Sequence, residues 1–296
     1  MMSFTTLIDV DSLAGLLAQP GKPPSAVVIL DCRFDLSAPA AGRQAYSSAH
    51  IPGARYADLN EVLAGPVSAA SGRHPLPAPE ALAEHFTALG VGRESQVIAY
   101  DDANGSFAAR AWWLLRWLGH ARVAVLDGGF KAWLARDGAI ASGEPETDAV
   151  RPAIPLQVNV DATAVATAAE VLRGLQQPAR LLVDARAAER YAGSVEPIDP
   201  VGGHVPGAVN HPFTRNLRAD GRFLAAPELR RLWQETLGGH APAQVTVMCG
   251  SGVTACHDLL AMELAGLPGA KLYAGSWSEW IRDPDRPVAR GSSPGP

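Results

Sequence analysis

The feature that most constrains this chain is that its sequence is written twice. Asp31-Cys32-Arg33 returns as Asp184-Ala185-Arg186, and His50-Ile51-Pro52-Gly53-Ala54 returns as His204-Val205-Pro206-Gly207-Ala208. Gln96-Val97-Ile98 returns as Gln244-Val245-Thr246, and Gly128–Trp133 (GGFKAW) lines up with Gly275–Trp280 (GSWSEW). The four blocks keep their order at a lag of about 150 residues. Solenoid units are far shorter, so a repeat of this length is a duplicated domain. A chain of 296 residues gives each copy enough length to bury its own core. The expected division is an N-terminal domain over 1–142, a linker over 143–160, a C-terminal domain over 161–290 and a disordered tail over 291–296. Gly, Pro and Glu without a clear period mark the linker.

Each half alternates short apolar runs with amphipathic stretches. Val27–Asp31, Val97–Tyr100 and Val123–Leu126 read as buried parallel strands, as do Leu181–Asp184, Val245–Met248 and Lys271–Tyr273 in the second half. Pro79–Leu89, Phe107–Leu118, Pro227–Leu237 and Thr254–Ala265 read as helices. The predicted fold class is therefore α/β, with two tandem domains, each a parallel sheet flanked by helices.

Composition narrows the partners. The formal net charge of −5, with no Lys/Arg stripe, argues against nucleic acid or an anionic membrane surface. Apolar runs such as Ala26–Leu30 are strand-length and too short to span a bilayer. The opening MMSFTTLIDVD lacks a basic region followed by an apolar one, so no secretory signal is expected. Three cysteines, an odd number in a long chain, do not suggest a disulfide framework. A reducing cytoplasm fits, where a free cysteine can be kept for chemistry. No Cys/His cluster has metal-ligand spacing and no phosphate-loop or dinucleotide fingerprint follows a strand, so no metal or other cofactor is expected.

The residue singled out for chemistry is Cys249. It stands just past a predicted strand, where ligands bind in such folds. Gly250, Ser251, Gly252, Val253 and Thr254 follow before a helix begins. Two glycines allow the loop to curl with its N–H groups inward, as an anion-binding nest at a helix N-terminus. An ordinary thiol is only roughly 3% ionised at pH 7, and inward amides favour the anion that attacks. The first half has Asp101 at the corresponding position, which suggests one active and one silent copy. Cys32 and Cys256 read as core residues, with Cys256 two turns into the following helix.

Readings from other classes fit less well. A cysteine phosphatase uses a similar loop but needs an arginine six residues after the cysteine, and that position is Ala255. A non-catalytic binding or regulatory module is the remaining alternative, and the second half does not carry the substitution that would mark an inert copy.

CGSGVTA at 249–255, the HIPGA and HVPGA turns, DGGFKAW at 127–133 and SWSEW at 276–280 closely resemble the tandem-domain rhodanese sulfurtransferases. The resemblance implies a silent N-terminal copy and a C-terminal copy in which Cys249 carries a persulfide. It further implies ping-pong transfer from a small anionic donor, 3-mercaptopyruvate or thiosulfate, to cyanide or a thiol such as thioredoxin. Thiosulfate enzymes of the family often carry basic residues directly after the cysteine, where this chain has Gly250 and Ser251. The mercaptopyruvate enzymes pair that serine with a histidine and an acid. His74 matches the histidine, and Asp58, Asn60 or Glu61 matches the acid. They also grip the donor carboxylate with two arginines. Arg190 matches the first; the second should lie in Glu196–Val201, which contains no arginine. The balance leans slightly to 3-mercaptopyruvate. Arg33 and Arg186, like His50 and His204, are expected to be structural. A monomer is expected, because the duplicated half already supplies a partner surface.

Overall fold

Runs rich in Val, Ile and Leu form the centre of each half, and parallel pairing buries them on both faces. The structure, a computed structural model, describes residues 3–18, 26–143, 152–175, 177 and 179–295. Part of the anticipated linker (144–151), together with Lys22 and Pro296, lies outside the described residues. The chain divides into two compact units. The first takes the described residues of Met1–Gly65, Pro77–Asp161 and Asp220–Arg222; the second takes those of Pro66–Leu76, Ala162–Ala219 and Phe223–Pro296. The division therefore departs from two contiguous halves: Pro66–Leu76 groups with the second unit. Among the described residues no helix is long and apolar enough to cross a membrane.

In the first unit β1 (Leu7–Ile8), β2 (Val27–Asp31), β3 (Arg55–Tyr56), β4 (Gln96–Tyr100) and β5 (Val123–Leu126) form one parallel sheet in the order β1-β5-β4-β2-β3. The helices are α1 (Val10–Leu17), α2 (Ala40–Ser48), α3 (Pro79–Ala88), α4 (Ala108–Trp117) and α5 (Gly129–Ala135). The second unit has α6 (Ala168–Gly174), β6 (Leu181–Asp184), α7 (Ala188–Ala192), β7 (Val209–Asn210), α8 (Ala226–Leu237), β8 (Val245–Met248), α9 (Thr254–Leu264), β9 (Lys271–Leu272) and α10 (Ser276–Trp280). Its parallel sheet runs β7-β6-β8-β9. Local chemistry sets the helix ends. Thr167 and Glu170 close a reciprocal capping box on α6, worth about 0.5–2 kcal/mol. α8 opens on a proline in its first turn and stops at Gly238 with φ +55°.

The repeat is legible down to single hydrogen bonds. Arg33 grips Asp31 with Nε 3.0 Å from both carboxylate oxygens and Nη2 2.6 Å from Oδ2, and Nη2 also donates to the Ala49 carbonyl. Arg186 does the same to Asp184, with Nη2 donating to the Gly203 carbonyl at 2.7 Å. Both pairs are buried, so either partner alone would leave an uncompensated charge. His50 stacks on Tyr46 and hydrogen-bonds its carbonyl oxygen; His204 does the same with Tyr191. These four residues tie loops to helices.

Two expectations give way. The tail is not free: Gly291 N–H donates to Ala192 O at 2.9 Å, and Pro294 O accepts from Gly207 N–H at 2.7 Å. The positive-φ glycines Gly207 and Gly291 give the backbone the turns this docking needs. Cys256 is the third residue of α9 and not two turns along it, since the helix begins at Thr254, the start its sequence bounds already gave.

Candidate active site

Cys249 is the first residue beyond β8, the strand flanked by β6 and β9. The segment after it curls. Gly252 adopts φ +77°, and a Cβ there would lie 2.4 Å from the Ala274 carbonyl oxygen, so only glycine fits. The curl brings the Gly252 N–H to 3.1 Å from Cys249 Sγ. The N–H groups of Gly250, Ser251, Val253 and Thr254 donate to no protein group among the described residues. Val253 caps α9 and Thr254 is its first residue, so their amides are the orphan donors of a helix N-terminus. Gly250 serves differently from the sequence expectation. Its φ is not positive; its missing side chain instead leaves room for guanidinium groups. A Cβ there would sit 3.1 Å from Arg73 Nη2 and 3.4 Å from Arg190 Nη1.

The first unit shows what such a loop does with an anion. Asp101 follows β4 as Cys249 follows β8. Its Oδ1 accepts from Ala103 N–H (2.9 Å) and Gly105 N–H (2.8 Å), and its Oδ2 from Phe107 and Ala108 N–H, both 2.8 Å. Burial pushes this carboxyl above the usual carboxylate range, and the amides oppose that. Because both oxygens are filled by donors, a carboxyl proton would lack an acceptor, and the geometry suits the carboxylate.

Sequence reading missed Ser276. It is a buried non-glycine residue at φ +54°, where its repeat partner Gly129 has φ +57°. Its hydroxyl donates to Tyr273 O at 2.8 Å and accepts from Cys249 N–H at 3.0 Å. A strained residue that spends its side chain on the nucleophile's own amide fits a positioning role. The signal was present: GGFKAW becomes GSWSEW, so a glycine that takes a left-handed backbone in the first copy is replaced by serine.

The structure brings His74 to Ser251, with Nδ1 2.7 Å from Oγ and both residues buried. Asp58 has other work. It accepts from Tyr56 OH (3.1 Å) and from Asn60 and Glu61 N–H (2.7 and 3.1 Å), all within the first unit. It closes a turn.

Arg190 is held by acids. Its Nε lies 3.1 Å from both Glu196 oxygens and its Nη2 3.0 Å from Asp199 Oδ2. Burial pulls the Glu196 carboxyl up, but the Arg190 guanidinium together with the Asp199 and Ile198 N–H groups holds it below its ordinary pKa. Arg73 also ion-pairs with Asp199, through Oδ1. The stretch expected to hold a second arginine thus holds the two acids that fix Arg190 and Arg73.

The model of the rhodanese-like domain matches residues 11–136 and 167–283. The chain is 48% identical to a probable 3-mercaptopyruvate sulfurtransferase from Pseudomonas aeruginosa, over 98% of this chain and 100% of that protein. It is 39% identical to a putative thiosulfate sulfurtransferase, SseB, from Mycobacterium tuberculosis, over 97% and 98% of the two chains. Among solved structures, a 3-mercaptopyruvate sulfurtransferase from Leishmania major matches with a TM-score of 0.81 at 32% identity, covering 93% of this chain and 74% of that one. SseA from Escherichia coli matches with a TM-score of 0.76 at 32% identity, covering 93% and 100%. The two parallel-sheet units are the two stretches that the rhodanese-like model matches. The chain belongs to the rhodanese-like family, and it is a sulfurtransferase.

Proposed function

We propose that this protein takes sulfur from 3-mercaptopyruvate, carries it as a persulfide on Cys249 and delivers it to cyanide or a thiol, thioredoxin included. The Cys249 thiolate attacks the donor sulfur, and the carbon–sulfur bond breaks with its electron pair going to carbon. The product is a Cys249 persulfide and the enolate of pyruvate, which takes up a proton. The proton that leaves the persulfide balances it, so the half-reaction moves one sulfur and one proton. Cyanide then attacks the outer sulfur, thiocyanate departs and the thiolate is restored.

The observation that carries this reading is the His74–Ser251 pair one residue beyond Gly250. A donor that releases carbon as an enolate needs a proton moved. Thiosulfate, which releases sulfite, needs none. A buried His–Ser pair beside the nucleophile is apt for the first and idle in the second. Gly250, Gly252, Val253 and Thr254 hold the sulfur anion with their amides, and Arg190 holds the donor's carboxylate. The first unit is catalytically silent, and the chain works as a cytoplasmic monomer.

Thiosulfate is the second reading, favoured by the name of the relative at 39% identity. Turnover per affinity measured side by side decides. A higher kcat/KM for 3-mercaptopyruvate is expected; a higher value for thiosulfate would reverse the assignment of donor.

A further inference from the structure

The donor site needs two cationic arms to meet two carboxylate oxygens, and sequence matching supplies only Arg190. The second unit brings another arginine there. Gly72 seats its segment against α10: a Cβ at Gly72 would fall 2.5 Å from the Gly275 carbonyl, and Arg73 N–H donates to Ser278 Oγ at 3.0 Å. This places Arg73 over the Cys249 loop. Its Nη1 is taken by Asp199, and its Nε is buried with no partner. Its Nη2 faces the Cα of Gly250, 3.1 Å from where a Cβ would be. Arg190 matches it. Nε and Nη2 are taken by Glu196 and Asp199, while Nη1 faces the same Gly250 at 3.4 Å. Among the described residues neither Arg73 Nη2 nor Arg190 Nη1 has a protein acceptor. Two guanidinium groups locked by one shared carboxylate each hold out an unspent arm beside the residue that follows the nucleophile.

We propose that Arg73 is the second arm of a carboxylate clamp, acting with Arg190 on the donor, and that Asp199 is the positioning residue that sets the spacing of the two. The proposal deepens the 3-mercaptopyruvate reading and rests on it. That donor has its sulfur three bonds from its carboxylate carbon, so a carboxylate held over Gly250 leaves the sulfur within reach of Cys249. The arginine absent from Glu196–Val201 is thereby replaced from another part of the sequence. The stretch has exchanged the cation for acids that orient cations.

The test compares 3-mercaptopyruvate with mercaptoacetone, which keeps the ketone and the thiol but has a methyl group in place of the carboxylate. Wild type, Arg73→Ala and Arg73→Lys are assayed for KM and kcat with each donor, and for the rate at which cyanide removes sulfur from preloaded enzyme. Thermal midpoints report folding. Loss of a charge-assisted contact predicts KM for 3-mercaptopyruvate raised about tenfold or more in Arg73→Ala. KM for mercaptoacetone and the cyanide step should stay unchanged, and Arg73→Lys should recover part of the loss. If Arg73→Ala is too unstable to assay, Arg73→Lys alone must still weaken 3-mercaptopyruvate selectively. Equal losses for both donors, or none, would overturn the clamp while leaving the donor reading intact. A wild-type enzyme that does not favour 3-mercaptopyruvate over mercaptoacetone would overturn both.

Discussion

Asp101 and Cys249 occupy the same step in the two copies of one loop. Each is the first residue past a central strand, and each accepts a backbone N–H from the turn that follows. The terminal sulfur of a cysteine persulfide is as many bonds from Cα as an aspartate oxygen. The carboxylate that fills the first loop with four amide contacts is thus a built-in picture of what a persulfide anion meets in the second.

Donor alone should therefore leave sulfur on the protein. Intact mass spectrometry is expected to show a gain of about 32 Da that cyanide reverses, the signature of a covalent intermediate. Cys249→Ser should show no gain and no turnover. The other thiols do not substitute: Cys256 spends its S–H on the Gly252 carbonyl, and burial, with the charges of Asp101 and Asp31 adding to it, pushes the Cys32 thiol well above its ordinary pKa. An increment that persists in Cys249→Ser would place the carrier elsewhere.

The His74–Ser251 pair has a donor-specific consequence. His74→Ala and Ser251→Ala should each lower kcat with 3-mercaptopyruvate by roughly 100-fold, the usual scale for a lost proton-transfer group. The double variant should be little worse than either, because the two act as a unit. Turnover of thiosulfate should change far less. Steady-state kinetics with both donors reads this directly; equal losses with both would assign the pair to holding the loop in shape.

The sheets and principal helices were legible because duplicated sequence and buried apolar runs carry period and length on their face. Cys249 and its loop were legible because Gly252 must be glycine in a strand-to-helix turn. What escaped reading depends on long-range packing. Arg73 stands in an irregular segment and its partner Asp199 lies 126 residues along the chain; no periodicity announces such a contact, and His74 beside it was found only through the family resemblance. Asp58 has a local use beside the role that the resemblance implies for it. An acid two residues before Asn60 makes a local turn with backbone N–H groups.

Ser276 links strain to function. In Ser276→Ala the Cys249 N–H loses its acceptor while the left-handed backbone stays strained, so a loss of about 1–3 kcal/mol is expected. Ser276→Gly also deletes the hydroxyl but relaxes the backbone, which offsets part of that loss. The glycine variant should therefore be the more stable of the two in urea, and both should turn over more slowly than wild type. If alanine were as well tolerated as glycine in stability and wild type in rate, the hydroxyl would have no bearing on Cys249.

His211 gives the second unit a defined response to acid. The ring is buried, stacks on Trp233, and lies 2.7 Å from Thr236 Oγ1 and 3.2 Å from Asn216 Oδ1. Burial above all, with the charge of Arg215 adding to it and the Asn216 contact opposing it, lowers its pKa from 6.5 to about 4. The folded ring thus stays neutral where the unfolded one takes a proton. Between pH 6.5 and about 4 the unfolded state binds more protons, so stability falls as pH falls through that window and this contribution levels off below it. The full effect is on the order of 3 kcal/mol. His211→Asn removes the titrating ring, so its urea midpoint should decline less between pH 7.5 and pH 4.5 than that of wild type, even if it starts lower. Parallel declines in the two proteins would show that acid sensitivity arises from other groups.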